Sequence, residues 1–132
     1  MAYNITEFFK KIGAPMTQPR WSWGGRRADG VLVFRCWSNV PAEFNYSKRE
    51  CLIGYGVVDT KSAGYPERCR MVAEFLAGAR GYVVFGEATP GCIKTRSLNM
   101  DSVFPIIGHR LGDNGEVWVK FGKPIPAREL MS

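Results

Sequence analysis

Asp29-Gly30 lies between two runs with strand character, and this pair is the strongest local constraint on what the chain can fold into. Arg20-Trp21-Ser22-Trp23-Gly24-Gly25-Arg26-Arg27 precedes it, and Val31-Leu32-Val33-Phe34-Arg35-Cys36-Trp37 follows. A two-residue turn predicts a β-hairpin in which Gly24 faces Arg35 and Trp23 faces Cys36. Leu32, Phe34 and Cys36 then share a core face with Trp23, while Val31, Val33, Arg35 and Trp37 point the other way, which puts Arg35 and Trp37 on a less buried face. A bulge at Gly24-Gly25 would exchange the faces of Trp21 and Trp23, so the exposed ring is left open. The two glycines also suit the close approach of a ligand's backbone.

The rest of the chain supplies elements to pack against this hairpin. Ile5, Phe8, Phe9 and Ile12 form one apolar face of a short helix, with Asn4 as its cap and Gly13 and Pro15 as its stop. The stretch from Tyr65 to Gly78 predicts a longer helix with Val72, Phe75, Leu76 and Ala79 inward. Strands are expected over Glu50–Val58, over the continuous apolar run Tyr82–Phe85, and over Ile93–Leu98. Val103–Leu111 reads as a strand broken by Pro105 and Gly108. Asp113-Asn114-Gly115 marks a second hairpin turn before Glu116–Phe121, where Val117, Val119 and Phe121 alternate inward. The tail ends in a single helical turn near Leu130. This order predicts one α+β domain over residues 1–132: a curved, mainly antiparallel sheet, as in a small open barrel, with two main helices.

Several chemistries lack their residue patterns. The cysteines, Cys36, Cys51, Cys69 and Cys92, form no C-x-x-C pair, so no metal or cofactor is expected, and reduced, packed thiols in a cytoplasmic protein are. Gly86–Thr95 misses a phosphate loop because two residues separate Gly91 from Lys94. His109 is the single histidine, and Glu87, Asp101, Asp113 and Glu116 are scattered. A catalytic role for Cys51, Cys69 or His109 therefore ranks last, and the chain is not expected to be an enzyme. No signal peptide or membrane-spanning apolar run is present, and no membrane partner is expected.

Charge gives a positive indication. The chain carries a net +6. Residues 1–37 hold Lys10, Lys11, Arg20, Arg26, Arg27 and Arg35 against only Glu7 and Asp29. Lys10 and Lys11 also fit the negative end of the first helix. A basic, aromatic hairpin suits an anionic polymer with stackable bases. Arg20, Trp21, Trp23, Arg26, Arg27, Arg35, Trp37, Lys48 and Arg49 are the candidate binding residues, with Tyr46, Tyr55 and Trp118 as further rings for a base-stacking cage.

Pro19-Arg20-Trp21-Ser22-Trp23-Gly24-Gly25, Gly30–Trp37, Gly64-Tyr65-Pro66-Glu67-Arg68 and Gly81-Tyr82-Val83-Val84 together resemble a small bacterial domain. That domain occurs alone or ahead of HNH nuclease domains in restriction-type proteins. The resemblance implies DNA recognition rather than cleavage, because the HNH motif itself is absent here. The architecture also resembles PUA-like modified-base readers by analogy. The expected function is a nucleic-acid-binding module, for DNA in particular, reading a modified or flipped base through the hairpin. The alternative is a protein-interaction module, such as a small phage or mobile-element protein that binds a bacterial defence component.

Overall fold

A computed structural model describes residues 5–15, 24–55, 65–88, 95–112 and 115–131. Helix α1 (Ile5–Lys11) is followed by β1 (Gly24–Arg26), β2 (Leu32–Trp37), β3 (Phe44–Asn45) and β4 (Glu50–Tyr55). Then come α2 (Tyr65–Leu76), β5 (Gly81–Ala88), β6 (Thr95–Leu98), β7 (Ser102–Leu111), β8 (Glu116–Phe121), β9 (Ile125–Pro126) and a 3-10 turn (Ala127–Leu130). The strands form one open sheet in the order β1-β2-β5-β7-β8-β4-β3, with β6 added to β5 and β9 to β7. β2 and β5 run parallel; the other pairs are antiparallel. This is the expected α+β fold with a curved sheet. Among the described residues, no helix is long and apolar enough to cross a membrane.

The curl of the sheet gives the molecule two cores. Inside it, Leu32, Phe34 and Cys36 of β2 meet Cys51 and Ile53 of β4, Val117, Val119 and Phe121 of β8, and Met71, Val72 and Phe75 of α2. The Cys36 thiol reaches the Leu52 carbonyl at 3.5 Å, so β4 folds back against β2 without pairing with it. A phenylalanine cluster fills one end: Phe85 lies 4.9 Å from Phe121 and 5.0 Å from Phe104, and Phe44 stacks on Phe121 at 5.9 Å. On the convex side, Phe8, Phe9 and Ile12 of α1 and Ala127 of the final turn cover Val33, Val84 and Val103. Val83 and Val84 thus enter different cores, as a continuous apolar run requires of a strand buried on both faces.

Both helices end in the same way. Ala14 N–H donates to Phe9 O and Gly13 N–H to Lys10 O; Ala79 N–H donates to Glu74 O and Gly78 N–H to Phe75 O. These are paired C-terminal capping bonds with glycine in the left-handed region, at φ 83° and 117°. On α2 the inward stripe is Met71, Val72 and Phe75; Leu76 is 39% exposed, contrary to its expected inward place.

Three sequence expectations need correction. The opening turn has three residues, not two. Arg27 N–H donates to Val31 O, and the register is Gly24↔Phe34, Gly25↔Val33 and Arg26↔Leu32. Gly30 takes φ 86°, the left-handed residue that closes such a turn. Second, β7 is unbroken: Pro105 pairs opposite Tyr82, and the irregularity is a bulge between Ile106 and Gly108. Third, Val33 and Trp37 of β2 are both buried, Val33 beneath α1 and Trp37 at 5% exposure. The Asn4 cap, Asp59–Gly64, Thr89-Pro90-Gly91 and Asp113-Asn114 lie outside the described residues.

Asp29 buttresses the turn. Its Oδ1 accepts the Val31 N–H at 3.1 Å, and that bond, followed by the nearby Arg27 guanidinium, holds its carboxyl below the usual value. A lowered folded pKa makes this contribution fully present above the unfolded value of 3.8 and removes it as pH falls through the folded one. The expected outcome is that the Val31 amide resonance titrates with a midpoint below 3.8. An unshifted midpoint would mean that the bond does not persist in solution.

Candidate nucleic-acid interface

The arginines of the opening hairpin are engaged within the fold. Arg26 forks onto Glu74 of α2, with Nε donating to Oε1 at 3.1 Å and Nη2 to Oε2. It therefore straps β1 to the helix. Arg27 lies at the C-terminal end of α1, where helix carbonyls lack intrahelical donors and the dipole is negative. Its Nη1 donates to Ile12 O and, at 3.5 Å, to Leu130 O, while Nε lies 3.6 Å from Asp29 Oδ2. One guanidinium so links α1, the hairpin turn and the C-terminal segment. Arg35 is half-buried and Trp37 only 5% exposed. The expected place of Trp37 on a less buried face is thereby corrected, while Arg35 is partly exposed. Arg20, Trp21 and Trp23 lie outside the described residues.

The glycine pair is likewise occupied by the chain itself. A Cβ on Gly24 would stand 2.0 Å from Val33 O, and one on Gly25 would stand 1.9 Å from Ala14 O. The close approach legible in the sequence is that of neighbouring backbone rather than of a ligand.

A different basic surface forms at the other end of the strand order. Arg49 adopts φ 53° in the β3–β4 turn, and its N–H donates to Tyr46 O. Its carbonyl accepts the Phe121 N–H; its Nε donates to Phe121 O at 3.2 Å and its Nη2 to Gly122 O at 2.6 Å. The guanidinium also sits 4.9 Å from the centre of the Phe121 ring. Arg49 therefore clamps the turn to the end of β8 and closes the phenylalanine cluster. This clamp holds Tyr46 in water at 72% exposure. Lys48 follows in the same turn with its N–H on Asn45 Oδ1 at 3.1 Å. Lys120, Glu50's register partner, and Lys123, beside Gly122, are exposed at the same corner.

Glu50, the acid opposite Lys120, is committed. Glu50 receives a two-pronged fork from Arg110, Nε to Oε2 at 2.9 Å and Nη2 to Oε1 at 3.2 Å, which also raises the Arg110 pKa. Arg110 in turn stacks 5.2 Å from Trp118. The corner thus presents three lysines and an exposed phenol ring beside a compensated carboxylate.

Of the residues singled out from sequence, Lys48, Arg49 and Tyr46 come together here. Arg26, Arg27, Arg35 and Trp37 belong to β1, β2 and the turn between them, away from β3 in the strand order. Lys120 and Lys123 were missed. The outward register of Lys120 in the alternating β8 was visible, but its neighbourhood with Lys48 depends on β4 pairing with β8. No family model, curated protein or solved structure matches this chain.

Proposed function

We propose that this chain is a nucleic-acid-binding module, for DNA in the first instance, whose contact surface is the corner made by the β3–β4 turn and the end of β8. The observation that carries the reading is that Tyr46 and Lys48 are exposed in the turn that Arg49 ties to the end of β8, where Lys120 and Lys123 are exposed as well. Lysines offer charge to phosphates without fixing sequence, and an exposed ring offers a face to an unstacked base. The arginines of the hairpin support the fold that presents this corner.

The test is binding across a salt series. Three phosphate contacts predict a log–log slope of about −2.7 on duplex DNA. Replacing Lys48, Lys120 and Lys123 with glutamine should flatten the slope. Tyr46→Ala should weaken binding to a single strand by about 1–3 kcal/mol, with an unchanged melting temperature because the ring packs little. Salt-independent binding, or full affinity after all four substitutions, would overturn the proposal.

A further inference from the structure

β7 extends past its neighbour β5. β5 begins at Gly81 and pairs with β7 only through Tyr82↔Pro105 and Val83↔Phe104. From Ile106 to Leu111, β7 is paired on one side, with β8. Gly112 N–H donates to Glu116 O at 2.8 Å, which turns the backbone groups of Gly112 toward β8. Antiparallel pairing alternates, so Gly108 and Arg110 also bond toward β8. The N–H and C=O groups of His109 and Leu111 then point to the opposite edge. Among the described residues no strand pairs with that edge.

A pocket of about 320 Å³ runs along this edge, between Phe75, Ala79 and Arg80 at the end of α2 and residues 105–109 of β7. Consecutive residues line it because the strand presents its edge rather than a face. Ile107 in its lining is 64% exposed and Leu111, farther along the strand, 67%, and the Phe75 and His109 rings meet edge-on at 5.3 Å. Long apolar edges are normally blunted by proline, lysine, a bulge or a cover, and here the bulge lies at the near end, between Ile106 and Gly108, short of His109 and Leu111. Residues 106–111, Ile-Ile-Gly-His-Arg-Leu, contain neither proline nor lysine. The pocket is lined by no carboxylate, and the exposed Arg80 and His109 stand at its rim.

We propose that the free edge of β7 binds an extended acidic-apolar peptide of a partner protein by strand addition. The partner's main chain bonds to His109 and Leu111. One apolar side chain enters the pocket against Phe75, and flanking carboxylates face Arg80 and His109. Donors and acceptors repeating every second residue match another strand rather than a phosphodiester chain. Lys120 pairs with Gly108, so this edge adjoins the lysine corner; the edge offers main-chain groups and the corner side chains, so each can fail without the other.

The probe is a blocked heptapeptide alternating valine and glutamate, titrated into the full chain and followed by calorimetry and amide exchange. The His109 and Leu111 amides should exchange at least about tenfold more slowly, with Gly108 and Arg110 unchanged. N-methylating the peptide amides along one edge should abolish binding, and methylating the other edge should leave it. His109→Pro removes an outward donor without touching a bond to β8 and should weaken binding about tenfold. The proposal is overturned if the probe does not bind at millimolar concentration, or if both methylated probes bind alike. It is also overturned if an oligonucleotide protects the same amides, or if they become protected without probe as protein concentration rises, which would make a second copy the occupant.

Discussion

Trp37→Ala is expected to lower the unfolding free energy by about 3–5 kcal/mol, the usual range for emptying a large aromatic site in a packed interior. Trp37 is 5% exposed at the end of β2. Read as an alternating strand, β2 would leave this ring as a stacking platform, and its removal would cost affinity rather than stability. The burial of Trp37, on the same strand as Val33, which α1 covers, reverses that expectation. Phe34→Ala on the opposite face should cost a similar amount, since its ring lies in the interior core 6.2 Å from Phe75. Denaturant unfolding of the two variants measures this directly: both midpoints should drop with little change in slope. If Trp37→Ala unfolds at the parent midpoint and loses affinity for nucleic acid, the ring is a platform after all.

The elements that could be read from sequence are those specified by local spacing. Ile5, Phe8, Phe9 and Ile12 recur at helical intervals before Gly13, and α1 buries Phe8, Phe9 and Ile12. Val117, Val119 and Phe121 alternate, and all three point into the core. What could not be read depends on contacts distant in the chain. Asp29-Gly30 fits both a two-residue turn and a three-residue turn with its glycine in the left-handed region, and the observed register is the second. β2 carries apolar residues on both faces, interrupted only by Arg35, which is the pattern of a strand between two layers; the Asp-Gly turn drew attention to a single partner instead. Charge shows that an arginine is present but not which carbonyl it meets. Ile12 and Leu130 claim Arg27, and Phe121 and Gly122 claim Arg49, through sequence separations that spacing cannot encode. For the same reason the lysine corner becomes visible only once β4 is paired with β8.

Gly25→Ala should be among the most damaging single-methyl additions in the chain, costing about 3 kcal/mol, the upper end of the usual overpacking range. The added Cβ would lie 1.9 Å from Ala14 O and 2.6 Å from Ala14 C. Both atoms are backbone at the end of α1, held by the Ala14 N–H bond to Phe9 O, so no side-chain rotation relieves the contact. Either β1 separates from β2 or α1 lifts from the convex core. Two other glycines separate this steric cause from the general effect of substituting glycine. Gly30 has open space around its Cβ position but φ 86°, so Gly30→Ala should cost about 1–2 kcal/mol through backbone strain alone. Gly108 has only Lys120 Cβ at 3.9 Å and no left-handed φ, so Gly108→Ala should change stability by less than about 0.5 kcal/mol. Unfolding free energies in the order Gly25→Ala, Gly30→Ala, Gly108→Ala, from least to most stable, would support the docking of α1 on the hairpin. A Gly25→Ala variant as stable as Gly108→Ala would mean that the Ala14 carbonyl does not approach β1, and the convex core would have to be assembled differently.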